Sequence, residues 1–272
     1  MLDEICYAKR FLCMPAKVWN WTVGIPLVAF LLFSFIKNFD LMNNDLLSSL
    51  LLTHIIGDFY LQTDYFCKQK ETKKIKCWFL YVHSIIMGLI AWLLIPSIDF
   101  GIYATLIILT HFIIDSIKLY IRNSLGLFLV DQLLHLGILL LISIVYDPQI
   151  ELPLHLIDKS ENFSFPILLI ATLICIKPTN IFIKLLLKKY DVGESKSCSN
   201  IKNAGGLIGN LERLLTMIFV IIGQFEAIGF VIAAKSILRF KDTDTAKTEY
   251  VLAGTFLSFG IALLCGLMVC AS

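Results

Sequence analysis

Three of the five histidines in this 272-residue chain stand four residues from an aspartate, and a fourth lies among them. His54 precedes Asp58 by four residues, His111 precedes Asp115 by four, and Asp131 precedes His135 by four; His83 lies between the first two pairs. Residues four apart on a helix project to nearly the same face, so each pair can address one centre. Imidazole nitrogen with carboxylate oxygen is the ligand set of zinc, and also of non-haem iron or manganese. The expected ligands are His54, Asp58, His111, Asp115, Asp131 and His135. They suffice for one ion with outer carboxylates or for two ions bridged by aspartate, and zinc is the favoured ion. Asp131 and His83 are the expected catalytic groups, His83 as a ligand or a proton shuttle. A divalent ion held there makes water able to attack an ester, amide or phosphodiester at neutral pH. Three other uses of the residues compete: a proton relay in a transporter, a structural polar network and haem ligation. Haem needs just two facing histidines, and the aspartate one turn from each argues against it.

The elements that carry these residues must lie in a membrane. Of the chain, 58% is apolar and only 16% charged, with a net charge of +2 and a mean hydropathy of +0.81. A soluble domain carries about 25% charged residues, so a soluble enzyme, a disordered chain and a nucleic-acid-binding module are excluded. The expected architecture is an all-α polytopic bundle of about nine spans, at 18–36, 46–65, 77–96, 100–120, 125–146, 165–187, 205–222, 224–240 and 249–270. Spans seven and eight, joined at Gly223, could instead form a re-entrant hairpin, and Pro178 should kink span six. The eight cysteines include no C-x-x-C pair and read as apolar residues or reduced thiols. P-loop, G-x-S-x-G and H-E-x-x-H motifs are absent.

Orientation follows from Lys and Arg, which cytoplasmic loops retain. Every second connection is basic, and these connections hold 19 of the 23 basic residues, among them Lys68, Lys70, Lys73, Lys74 and Lys76 in the loop at 66–77. The N-terminus is therefore expected in the cytoplasm and, with nine spans, the C-terminus outside. The domain plan is an accessory first span in 1–45, a four-helix His/Asp bundle in 46–146, an acidic outer loop in 147–164 and a helical half in 165–272.

Leu-Leu-Thr-His-Ile-Ile-Gly-Asp at 51–58 is echoed by Ile-Leu-Thr-His-Phe-Ile-Ile-Asp at 108–115, and a span with its own histidine follows each. The pattern reads as a duplicated helical hairpin, spans two and three followed by spans four and five. The second copy adds Asp131 before His135, where the first has Phe79 before His83. Counting from the basic ends at 1.5 Å per residue places Asp58, His83, His111 and Asp131 roughly 8–12 Å deep, with His54 and His135 one turn deeper. Ionisable residues cost about 2.5–3.5 kcal/mol each at a helix centre, which makes an accidental cluster improbable.

Substrate contacts are expected from Gln62, one turn beyond Asp58 on the same face, and from Lys235 and Arg239, which share a face at the inner end of span eight. Lys235 and Arg239 read either as snorkelling anchors or as an anion site for a phosphate or lipid headgroup. Gly205 and Gly209 mark a close-packing helix face that could also support oligomers. Glu212 and Arg213 read as a structural ion pair. The expected partners are the bilayer and a small-molecule or lipid substrate, with no nucleic acid.

At these residues the chain resembles a bacterial polytopic membrane family known only as domain-of-unknown-function family 3307. The resemblance rests on His54-Ile-Ile-Gly57-Asp58-Phe59-Tyr60-Leu61-Gln62, the basic loop leading to His83, Thr110-His111-Phe-Ile-Ile-Asp115 and Asp131-Gln132-Leu-Leu-His135. It continues through Leu207-Ile-Gly209-Asn-Leu-Glu212-Arg213, Gly223-Gln224-Phe-Glu226, Ala234-Lys235-Ser236-Ile-Leu-Arg239 and Glu249-Tyr250 to Ser258. It implies a bacterial inner-membrane setting and no particular activity.

Overall fold

The computed structural model describes residues 44–148, 152–154, 163–190, 204–239 and 245–272. The first expected span, 18–36, and most of the acidic loop lie outside the described residues. Among the described residues the secondary structure is entirely helical. The helices are α1 (Asn44–Ile55), α2 (Asp64–Lys73), α3 (Trp78–Leu94), α4 (Gly101–Lys118), α5 (Leu125–Val145), α6 (Phe165–Lys189), α7 (Ala204–Ile221), α8 (Phe225–Arg239) and α9 (Thr245–Cys270). Windows in α4, α5, α6 and α9 are long and apolar enough to cross a membrane. At most 33% of each such window is buried, so most of its apolar surface faces outward, where lipid rather than water accommodates it.

Two departures from regular α winding shape the first bundle. Helix α1 continues into a π turn, Ile56–Leu61, and Gln62 then leaves the helix with an extended backbone. Gln62 thus does not prolong the face of Asp58 by another turn. The basic segment expected as a loop is instead mostly helical: α2 and a 3-10 turn, Lys74–Lys76, meet α3 at an angle of 107°. This brings Lys70 into the interior, 5% exposed.

Helix ends follow local chemistry. Ser124 caps α5, its Oγ accepting from Leu127 N at 3.1 Å. Pro166 sits in the first turn of α6, where its missing N–H costs nothing. Helix α7 ends at Gly223, whose φ of +73° is the left-handed conformation glycine tolerates. There Gln224 N bonds Phe219 O and Gly223 N bonds Val220 O, the paired bonds of a Schellman turn.

Helices α1, α3, α4 and α5 enclose an apolar core of Leu46, Leu50, Met87, Ala91, Ile107 and Leu139. Close approach is bought with glycine: a Cβ on Gly88 would meet Ala104 O at 2.8 Å and Ile108 Cγ1 at 2.3 Å across α3 and α4. In the other half, a Cβ on Gly266 would lie 2.7 Å from Val220 Cβ across α9 and α7. Among the described residues, a Cβ on Gly205 or Gly206 would meet nothing within 4 Å, and one on Gly209 would meet only Arg213 of its own helix. Among the described residues the close helix approaches are made at Gly88 and Gly266.

Helix α6 touches α1, α5 and the π turn on one side and α7 and α9 on the other. Pro178 lies inside it and cannot donate to Ile174 O, but Thr179 Oγ1 does so at 2.7 Å. The flanking carbonyls are taken by other helices: Tyr60 OH donates to Leu173 O at 2.8 Å, and Arg213 Nε donates to Cys175 O. Arg213 also reaches Ser258 Oγ, Asn180 Oδ1 and Asn210 Oδ1, while Glu212 pairs with Lys235 at 2.5 Å. Glu212 and Arg213 are thus not an ion pair with each other: consecutive helical residues project about 100° apart.

Candidate metal centre

Five elements converge on one buried point. The end of α1 supplies His54, the π turn Asp58, α3 His83, α4 His111 and Asp115, and α5 Asp131 and His135. Apart from Asp58, whose side chain is 9% exposed, each of these residues is at most 4% exposed.

Asp58 Oδ1, His83 Nε2 and His111 Nε2 form a nearly equilateral triangle with sides of 3.2, 3.3 and 3.1 Å. Ligand atoms about 2.0–2.1 Å from a tetrahedral ion lie about 3.3–3.4 Å from one another, so the triangle has the dimensions of three corners of such a site. Mutual hydrogen bonding satisfies the three atoms poorly, because a ring N–H lies in its ring plane and points at one acceptor. His54 Nδ1 stands 3.8 Å from Asp58 Oδ2. The π turn explains why Asp58 bonds other helices rather than His54: wider winding rotates it off the α-helical bearing of a residue four positions before it.

A second set adjoins the first. His135 Nε2 faces Asp131 Oδ1 at 3.6 Å and Asp115 Oδ1 at 3.9 Å. Both His135 Nε2 and Asp131 Oδ1 are buried without a hydrogen-bond partner among the described residues. Buried polar atoms of this kind are rare, and two of them face each other here. The outer oxygens of the same carboxylates are held by lysines, Lys70 Nζ on Asp115 Oδ2 and Lys118 Nζ on Asp131 Oδ2, each at 2.5 Å. His111 and His135 stack with centroids 4.2 Å apart, which joins the two sets.

The outer shell is equally specific. Gln132 Oε1 lies 3.1 Å from His54 Nε2, and Gln132 Nε2 donates to Asp131 Oδ2 at 3.1 Å. With Nε2 engaged, Nδ1 of His54 is the nitrogen turned toward Asp58. Phe79, at the position where the second hairpin carries Asp131, stacks on His83 and is itself stacked by Phe66. Groups of three suited to a metal are His54–Asp58–His111, His83–His111–Asp115 and Asp115–Asp131–His135.

All six expected ligands and His83 are therefore brought together. Gln62 stands in the wall of a neighbouring cleft, bonded to Cys67 Sγ at 3.1 Å. Lys235 is engaged by Glu212, and the side chain of Arg239 lies outside the described residues. Sequence reasoning gave no site role to Lys70, Lys118 and Gln132. Lys118 had a signal, three residues after Asp115 on one helix. Lys70 had none, standing 45 residues from its partner in a segment that served only as a marker of orientation.

Residues 46–163 match the family described as Protein of unknown function (DUF3307). The resemblance carried by the histidine and aspartate motifs holds over that segment, which contains the whole cluster and ends before α6. No curated protein and no solved structure matches the chain.

Proposed function

We propose that this is an integral membrane metalloprotein that hydrolyses a phosphate-containing or lipid-like substrate at the cytoplasmic face of a bacterial inner membrane. The reading includes nine spans with the N-terminus inside and the C-terminus outside, and a duplicated hairpin as the origin of the bundle. The observation that carries it is the triangle of Asp58 Oδ1, His83 Nε2 and His111 Nε2, with sides of 3.1–3.3 Å. His54 completes this first set; Asp115, Asp131 and His135 form the second. Zinc suits the donors, with iron or manganese as the other candidates. Such an ion supplies Lewis-acid activation of water and of the bond to be cleaved. With one ion in the first set, Asp131 is the general base, accepting a proton from water through its unpartnered Oδ1; with a second ion, that oxygen is a ligand instead. His83 serves as ligand or proton shuttle, and Gln132 fixes the ring of His54.

A proton- or ion-coupled transporter is the second reading, favoured by the hydrogen-bonded run from His54 through Gln132 and Asp131 to Lys118. Against it, the cleft on the side of Lys70 and Lys118 holds ≈ 360 Å³, whereas on the side of Met87, Ile107 and Leu139 the histidines adjoin only ≈ 10 Å³ of space. Element-resolved metal analysis of purified protein separates the readings. Wild type is expected to carry one or two equivalents, and His83→Ala and His111→Ala to carry substantially less. Metal-free wild type, or unchanged metal in both variants, would sink the hydrolase.

A further inference from the structure

Beside the metal cluster lies a cleft of ≈ 360 Å³, within the ordinary range of small-molecule sites. Its wall includes Gln62, Lys70, Lys74, Lys118 and Arg122, and Asp115 forms part of the same lining. Four cations around one small space repel one another unless something negative offsets them. The described partners account for part of the offset. Lys70 and Lys118 spend one hydrogen bond each on Asp115 and Asp131, and Lys74 Nζ donates to Leu119 O at 2.5 Å. An ammonium has three donors, so two remain on each lysine. Glu71 also lines the wall, its Oε1 accepting from Asn123 at 2.5 Å, so with Asp115 and Asp131 three carboxylates face the four cations and one positive charge is left over. Arg122 makes no hydrogen bond or ion pair among the described residues, although its guanidinium offers five donors.

We propose that this cleft is the phosphate-recognition site of the hydrolase: Arg122, Lys74 and the spare donors of Lys70 and Lys118 bind the anionic oxygens of a phosphate ester. The proposal rests on the metal-hydrolase reading and gives its substrate a chemical class and an entry route. Because Asp115 is shared between the cleft and the second ligand set, a phosphate in the cleft lies beside the atoms that would cleave it. The same lysines that neutralise the ligand carboxylates then also receive the substrate. This assigns anion binding to the loop ends of α2 and α4 rather than to Lys235, whose charge is met by Glu212.

The test uses the full-length protein in detergent and titrates inorganic phosphate by calorimetry, with metal content measured on the same samples. Saturable binding is expected in wild type and should weaken about tenfold in Arg122→Gln, the loss of one charge-assisted hydrogen bond. Arg122 is exposed, so that variant should fold. Lys76→Gln makes the same charge change at an exposed lysine outside the cleft and should bind phosphate as wild type does. Absent phosphate binding in wild type, unchanged binding in Arg122→Gln, or an equal loss in Lys76→Gln would overturn the proposal. Phosphate binding without metal would support the cleft while removing the hydrolase reading; metal without phosphate would do the reverse. A second arm repeats the titration in phosphatidylcholine nanodiscs with and without phosphatidylglycerol. Competition by phosphatidylglycerol that Arg122→Gln abolishes supports the site and assigns it to lipid headgroups; no competition, with binding retained, supports a soluble phosphate ester.

Discussion

Lys70 is the residue whose meaning changed most between sequence and structure. In the sequence it is one of five lysines in a short basic segment, and such segments mark the cytoplasmic side. In the fold it is buried and bonded to Asp115, so its charge neutralises a carboxylate of the site. Removing one partner of a buried ion pair costs about 3–5 kcal/mol, because the other charge is left uncompensated. Lys70→Met should therefore melt well below wild type in detergent when chelator is present. If Asp115 is a ligand, added zinc should restore most of the loss, since a divalent ion supplies the missing positive charge. An equal loss with and without zinc would exclude Asp115 from the metal set. The histidines and aspartates were legible beforehand because the interval of four records helical geometry directly. Lys70 and Gln132 were not, because a long-range contact leaves no local period.

At the scale of elements, periodicity revealed helices but not their irregularities. Nothing in Ile56-Gly57-Asp58-Phe59-Tyr60-Leu61 distinguishes a π turn from one more turn of α-helix, yet this winding sends Asp58 to His83 and His111. Glycine spacing is a similarly partial guide: it points to Gly205 and Gly209, whereas among the described residues a close approach is made at Gly88, which no such spacing marks. Gly88→Ala should cost about 1–3 kcal/mol, as overpacking does, by forcing α3 from α4, and should lower metal content because His83 and His111 lie on those two helices. Gly137→Ala is the control; its Cβ would meet nothing within 4 Å among the described residues, and α5 should gain up to about 1 kcal/mol in thermal melts. In α6, Thr179→Val should cost about 1–3 kcal/mol by leaving Ile174 O without a donor next to Pro178. A neutral Thr179→Val would show that another group takes over that carbonyl.

For the whole molecule, scarcity of charge excluded soluble folds, and four helices with outward apolar surface agree with that exclusion. The alternation of basic connections makes a prediction that thiol labelling can check. Variants retaining only Cys67 or only Cys270 should be labelled from opposite sides of the membrane by an impermeant maleimide, Cys67 from the cytoplasm. Labelling of both from one side would remove an odd number of the spans between them, whereas a re-entrant hairpin in place of spans seven and eight changes the count by two and leaves the thiols on opposite sides. What the composition could not convey is how the two halves are tied. Asp58 and Tyr60 occupy the same π turn, and the hydroxyl of Tyr60 holds Leu173 O in the stretch of α6 that leads to Pro178. Arg213 holds the next carbonyl but one from the other half, through Cys175 O. One short turn thus ties the site residue Asp58, bonded to α3 and α4, to the backbone of α6.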